Sequence, residues 1–186
     1  MSDLLERDGE ILDASTIRFE RLLPGPIERV WAFLTESEKR KLWLAAGDFE
    51  LKSGGKTTLF FQHKNLSAKR GTPPEKYKKM DEEGGGFDGE MIRCEAPRLL
   101  VFTWGEKRNS EVTFELTPQT SGEVLLTLTH RRLDKEGMQS VGPGWHTHLG
   151  ILAERLHGRE PENFWATFQQ VKAHYDSKTH EIKKKA

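Results

Sequence analysis

His130 is the side chain in this sequence best placed to do chemistry. It follows Leu126 and Leu128 at alternate positions, so on a strand it points to the same apolar side as they do. A neutral imidazole there can hydrogen-bond a ligand, or act as a general base if its pKa stays at about 6.5. The competing role is structural, a strand-end histidine bonded to nearby backbone. The other candidates are poorer. His146 and His148 are two apart on a predicted helix, which sends them to opposite sides, whereas a metal pair on a helix needs a spacing of three or four. His63, His157, His174 and His180 fall in polar or surface-like contexts. Cys94 is the sole cysteine and has no apparent base or Cys-x-x-Cys partner, so it reads as an inert strand thiol. No Gly-x-Ser-x-Gly elbow, dinucleotide loop or phosphate loop is present. No catalytic residue, metal ligand or cofactor is therefore assigned.

Three alternating segments position His130. Leu100, Phe102 and Trp104 share one phase, as do Val112, Phe114 and Leu116, and then Leu126, Leu128 and His130. Glu111, Thr113 and Glu115 occupy the opposite phase of the middle segment, the pattern of an antiparallel sheet with one wet and one covered face. Earlier strands are expected over Thr16 to Leu23, Phe49 to Leu51 and Thr57 to Gln62, and another over Asp88 to Glu95. Pro26 opens a helix whose apolar residues Ile27, Val30, Trp31 and Leu34 recur at helical spacing. A short helix or turn follows at Ser37 to Lys41, and Trp43 returns the chain to the core.

Gly142-Pro143-Gly144 precedes a helix expected from about Trp145, with Trp145, Leu149, Leu152 and Leu156 on one stripe and Gly158 as its stop. Phe164, Trp165, Phe168, Val171 and Tyr175 then mark another amphipathic helix. Between the strands, His63 to Gly86 carries six cations, an acidic cluster and a triple glycine. It reads as a long, self-neutralising polar hairpin loop with a short helix after Pro73-Pro74, and loops of that length are usually functional or mobile.

The chain has 29 basic and 29 acidic residues, hence no net charge. That balance argues against a nucleic-acid partner and leaves homodimerisation plausible. No stretch approaches the roughly 20 apolar residues of a membrane span, and the charged N-terminus lacks a signal-peptide pattern. A cytoplasmic location is expected.

The segments PGPIERVWAFLTESEKRKLW, FDGEMIRCEAPRLLVFTWG, SEVTFELTP, VLLTLTHRRL and GPGWHTHLGILAERLHG, in this order and spacing, resemble the START-like SRPBCC superfamily. Within it they are similar to homologues of the activator of the heat-shock-protein-90 ATPase. The resemblance runs from about Thr16 to Gly158. It implies an α+β helix-grip fold, a curved antiparallel β-sheet wrapped around a long C-terminal helix with an internal cavity. In such families the cavity often takes lipids, polyketides or other hydrophobic molecules, and only some members are enzymes. The implied organisation is an N-terminal extension (1–15), the START-like domain (16–158, with the polar loop 63–86) and a C-terminal helical extension (159–186).

The leading expectation is a non-enzymatic protein, stress- or resistance-related, that holds a hydrophobic or aromatic small molecule between sheet and helix. Trp43, Phe102, Trp104, Phe114, Leu128 and His130 would line one wall, and Trp145, Leu149 and Leu152 the other. Two alternatives stand beside it: a co-chaperone-like interaction module that meets a chaperone through the charged loop, and a cavity enzyme of cyclase or hydrolase type dependent on His130.

Overall fold

The computed structural model describes residues 7–185, with side chains for 7–177. Seven strands form one antiparallel sheet: β1 (Glu10–Asp13), β2 (Thr16–Pro24), β3 (Lys56–Phe61), β4 (Gly85–Glu95), β5 (Leu99–Trp104), β6 (Ser110–Pro118) and β7 (Glu123–Arg131). Their spatial order is β1-β2-β7-β6-β5-β4-β3. The last four in sequence make the expected meander. The chain crosses from β2 to the far edge at β3 through two short helices, α1 (Ile27–Thr35) and α2 (Ser37–Arg40). The inner face is covered by α4 (Lys135–Leu156), and α5 (Phe164–Lys185) packs on α4. A short α3 (Lys78–Glu83) interrupts the β3–β4 connection. This is the helix-grip arrangement anticipated from the sequence.

Register explains why the apolar phases meet. Ile17 pairs with His130, His130 with Val112, Val112 with Phe102 and Phe102 with Met91, so one inward row runs across five strands. The next row joins Phe19, Leu128, Phe114 and Leu100. Every member of both rows is almost fully buried. The opposite face is less wet than the alternation implied, because Thr113 and Thr129 are buried there and Arg131 lies over Thr113.

Two sequence expectations are corrected. Phe49 to Leu51 is no strand; it meets β3 through an isolated bridge from Phe49 to Thr57 and a hydrogen bond from Lys56 N–H to the Glu50 carboxylate. The helix expected from Trp145 starts ten residues earlier, at Lys135, and runs straight through Gly142-Pro143-Gly144. Asp134 caps it by accepting from Gly137 N–H at 2.7 Å. Proline in a helix interior costs about 3 kcal/mol, but Gly142, Pro143 and Trp145 are all buried, and Thr147 Oγ1 donates to the Pro143 carbonyl at 2.8 Å. Tertiary packing overrides the local signal. The C-terminal end is as anticipated, with Gly158 at φ 72°, where the missing side chain matters.

Arg40 holds the two short helices together. Its guanidinium, 1% exposed, donates to the carbonyls of Leu34, Thr35 and Gly47 and sits 3.7 Å from the Phe49 ring centroid. Burial lowers its pKa to about 10, which still leaves it charged at neutral pH. Arg40→Ala strands three carbonyls and is expected to cost about 3 kcal/mol. Arg40→Lys should recover less than half of that, since an ammonium cannot span the same fork. Urea unfolding of both variants checks this, and full recovery by lysine would show that charge alone matters. No helix among the described residues is long and apolar enough to cross a membrane.

Candidate functional site

The nine residues expected to line a site converge between the sheet and α4. Trp43, Phe102, Phe114, Leu128, Trp145, Leu149 and Leu152 belong to one buried cluster, and Trp104 packs against it. The rings touch one another: Trp104 lies 4.8 Å from Trp145, Phe102 6.2 Å from Phe114, and Phe114 stands edge-on to Trp145 and Trp43 at 6.0 and 6.3 Å. Trp104 is only partly buried. Phe87 and Phe61, at 5.2 and 5.8 Å, extend its surface toward the β3 edge, and Met138 and Val141 of α4 border the cluster.

His130 sits inside this cluster with both ring nitrogens engaged. Trp145 Nε1–H donates to His130 Nδ1 at 3.0 Å, so the imidazole proton resides on Nε2, which donates to Ser110 Oγ at 3.0 Å. Ser110 Oγ–H in turn donates to the Trp104 carbonyl at 3.1 Å. The chain of donors is complete. Burial pushes the His130 pKa down to about 3, so it does not retain the value near neutrality that a general base requires. Its lone pair supports a tryptophan instead.

A second histidine centre lies beyond Phe61, and the sequence reading missed it. His63, assigned to a polar context, is 6% exposed. Its ring stacks on Phe61 at 6.1 Å, lies 5.4 Å from His148 and is covered by Phe164 at 4.2 Å. Thr57, Leu59, Phe61 and His63 share one phase, a signal obscured by the polar residues that follow. His148 Nδ1–H donates to the Trp43 carbonyl at 2.7 Å, whereas His63 Nδ1 is buried without a partner. Burial lowers the pKa of His63 to about 4 and, with His63 nearby, that of His148 to about 3. His146, two residues from His148, faces Tyr175 and Asp8 instead, so the pair does diverge.

The interior thus offers flat apolar surface and neutral hydrogen-bonding groups. The Cys94 thiol is pushed up by burial, away from the reactive thiolate. Among the described residues no three His, Cys, Asp or Glu side chains are grouped to hold a metal ion. A surface depression of about 280 Å³ lies elsewhere, between Leu42, Ala46 and Phe60 at the outer edge of β3.

The family model for Activator of Hsp90 ATPase homolog 1-like protein matches residues 24–157. The chain belongs to this family. It is 44% identical to the Bordetella parapertussis protein encoded by gene BPP1335, over 90% of this chain and 88% of that one, with a TM-score of 0.75. CalU16 from Micromonospora echinospora shares the fold at 21% identity, with coverage of 87% and 86% and a TM-score of 0.62. So does a conserved protein of unknown function, EF2215, from Enterococcus faecalis, at 17% identity, 94% and 90% coverage and a TM-score of 0.67. Among curated proteins there is no match. The matched region includes every expected wall residue and stops before α5.

Proposed function

We propose that this family member binds an apolar, ring-containing small molecule on the concave side of the sheet. The observation that carries the reading is Trp104. Its ring lies on the inner face in contact with Trp145, with Phe61 and Phe87 beside it, and the residue as a whole is only partly buried. A large aromatic surface that reaches both solvent and core is the usual lining of an apolar ligand site. The complete Trp145–His130–Ser110 chain beneath it holds that surface in place and adds no charge. A chaperone-directed role for the charged β3–β4 connection has less support, because Lys69, Lys78 and Lys79 are paired with Glu162, Glu75 and Glu83.

A thermal-shift screen against fatty acids, flavonoids, polyketides and sterols tests the proposal. Ligand at a hundred times its dissociation constant adds about 2.7 kcal/mol, roughly 5–10 °C for a domain of this size. The shift is expected from a ring-containing class and should vanish in Trp104→Ala, with circular dichroism of the variant checking that it folds. A flat screen, or a shift that survives Trp104→Ala, would remove the site from this surface.

A further inference from the structure

The 62–84 connection between β3 and β4 and the chain leading into α5 are distant in sequence, yet they are stitched to each other along one seam. Ser67 Oγ donates to the Pro161 carbonyl at 2.8 Å, Ala68 N–H to Glu160 at 2.7 Å, and Asn163 Nδ2 to the Lys69 carbonyl at 3.1 Å. Farther along, Trp165 Nε1–H donates to the buried Asp81 carboxylate at 2.7 Å, and the Trp165 ring stacks on Tyr77 at 5.1 Å. Toward the body, Leu66, Phe164, Trp165 and Phe168 join the same buried apolar cluster as α4, while the hydrogen bonds to α4 are fewer than those along the seam. Phe164 lies 4.9 Å from His148, and Arg155 bridges to Glu160 and to the Leu66 carbonyl at 2.7 and 2.9 Å.

We propose that the β3–β4 connection and the first turn of α5 form one lid over the histidine end of the interior, with Phe164 as its plug. Phe164 packs over the His63–His148 pair, continuous through Phe61 with the Trp104 surface. The lid lifts as a unit because its two segments are hydrogen-bonded to each other at both ends of the seam, and α5 pivots where the Tyr175 ring rests on Gly142. A side chain at Gly142 would begin 2.9 Å from that ring. Closure is also imperfectly rewarded, since it buries His63 Nδ1 without a partner. Peripheral segments joined by side-chain links, without a strand ladder, open at lower free energy than the sheet core. In naming Phe164 as a stand-in for a guest, the inference rests on the binding role proposed above; the concerted opening does not.

Hydrogen exchange of the full-length protein, followed by mass spectrometry without any ligand, tests the opening. Trp165→Phe keeps the stacking ring and removes the donor to Asp81. Peptides from 63–83 and from 160–170 should both exchange faster by a common factor of about ten or more, with peptides from β5 to β7 unchanged. Asn163→Ala, which cuts a different link of the seam, should give the same pattern. Acceleration of 160–170 alone, or of lid and sheet together, overturns the lid. Either result is independent of the ligand screen, so failure of one reading is distinguishable from failure of the other.

Discussion

Trp145→Ala is expected to destabilise the fold by about 5 kcal/mol, and Trp145→Phe by about 2 kcal/mol. The difference separates two contributions made by one side chain. Trp145 is 3% exposed and fills the space between Trp104, Phe114 and α4. Removal of a buried tryptophan ring alone costs about 3–5 kcal/mol. The indole N–H adds a second effect, because it is the donor to His130 Nδ1 at 3.0 Å. Phenylalanine keeps most of the packing but leaves that nitrogen buried and unpaired, a penalty of about 1–3 kcal/mol. Trp145→Phe combined with His130→Leu should therefore recover stability relative to Trp145→Phe alone. Ser110 still donates to the Trp104 carbonyl in the double variant. Urea unfolding followed by circular dichroism gives all three values. A Trp145→Phe protein as stable as wild type would show that the Trp145–His130 link contributes nothing.

Stability should also fall steeply as the solution is acidified from pH 6.5 toward 4.5. The cause is three histidines buried in neutral form. Their folded-state pKa values are depressed to about 4 for His63 and about 3 for His130 and His148, each chiefly by burial. In the unfolded chain the same groups take up protons near pH 6.5. Between those limits the unfolded state binds more protons, so stability is fully present above pH 6.5 and is lost as pH falls. With nearly three protons separating the states, the slope reaches at most about 4 kcal/mol per pH unit around pH 5. The urea midpoint should be flat from pH 8 to 7 and drop sharply below 6. His63→Phe should remove about a third of the slope. A midpoint that stays level down to pH 4.5 would mean that the imidazoles remain in contact with water.

Much of the candidate site's placement is legible in the sequence alone. Alternation needs only that one sheet face be covered, so the inward positions of Phe102, Phe114, Leu128 and His130 follow directly from period-two spacing. The helical repeat of Trp145, Leu149 and Leu152 places them opposite. What alternation does not encode is pairing. That Val112 stands between His130 and Phe102 depends on register, and that Trp145 reaches His130 depends on the height at which α4 crosses the sheet.

The misreadings have the same origin. Gly142-Pro143-Gly144 is a helix breaker by local propensity, but burial of that turn and the Asp134 cap carry α4 across it. His63 follows a strand and opens a run of lysines, so its neighbours in sequence are polar while its neighbours in space are Phe61, His148, Phe164 and Trp165.

By itself the sequence determined the strand phases, the family and the aromatic character of the concave face, because each depends on residue type and short-range spacing. Only the tertiary structure decided that both ring nitrogens of His130 are engaged, by Trp145 and Ser110, and that α5 and the β3–β4 connection meet over a second histidine centre. Those outcomes rest on contacts between residues up to about a hundred positions apart, such as Trp165 with Asp81 and His148 with Trp43. Burial, which shifts pKa values and selects tautomers, is a property of the assembled chain and not of any segment of it.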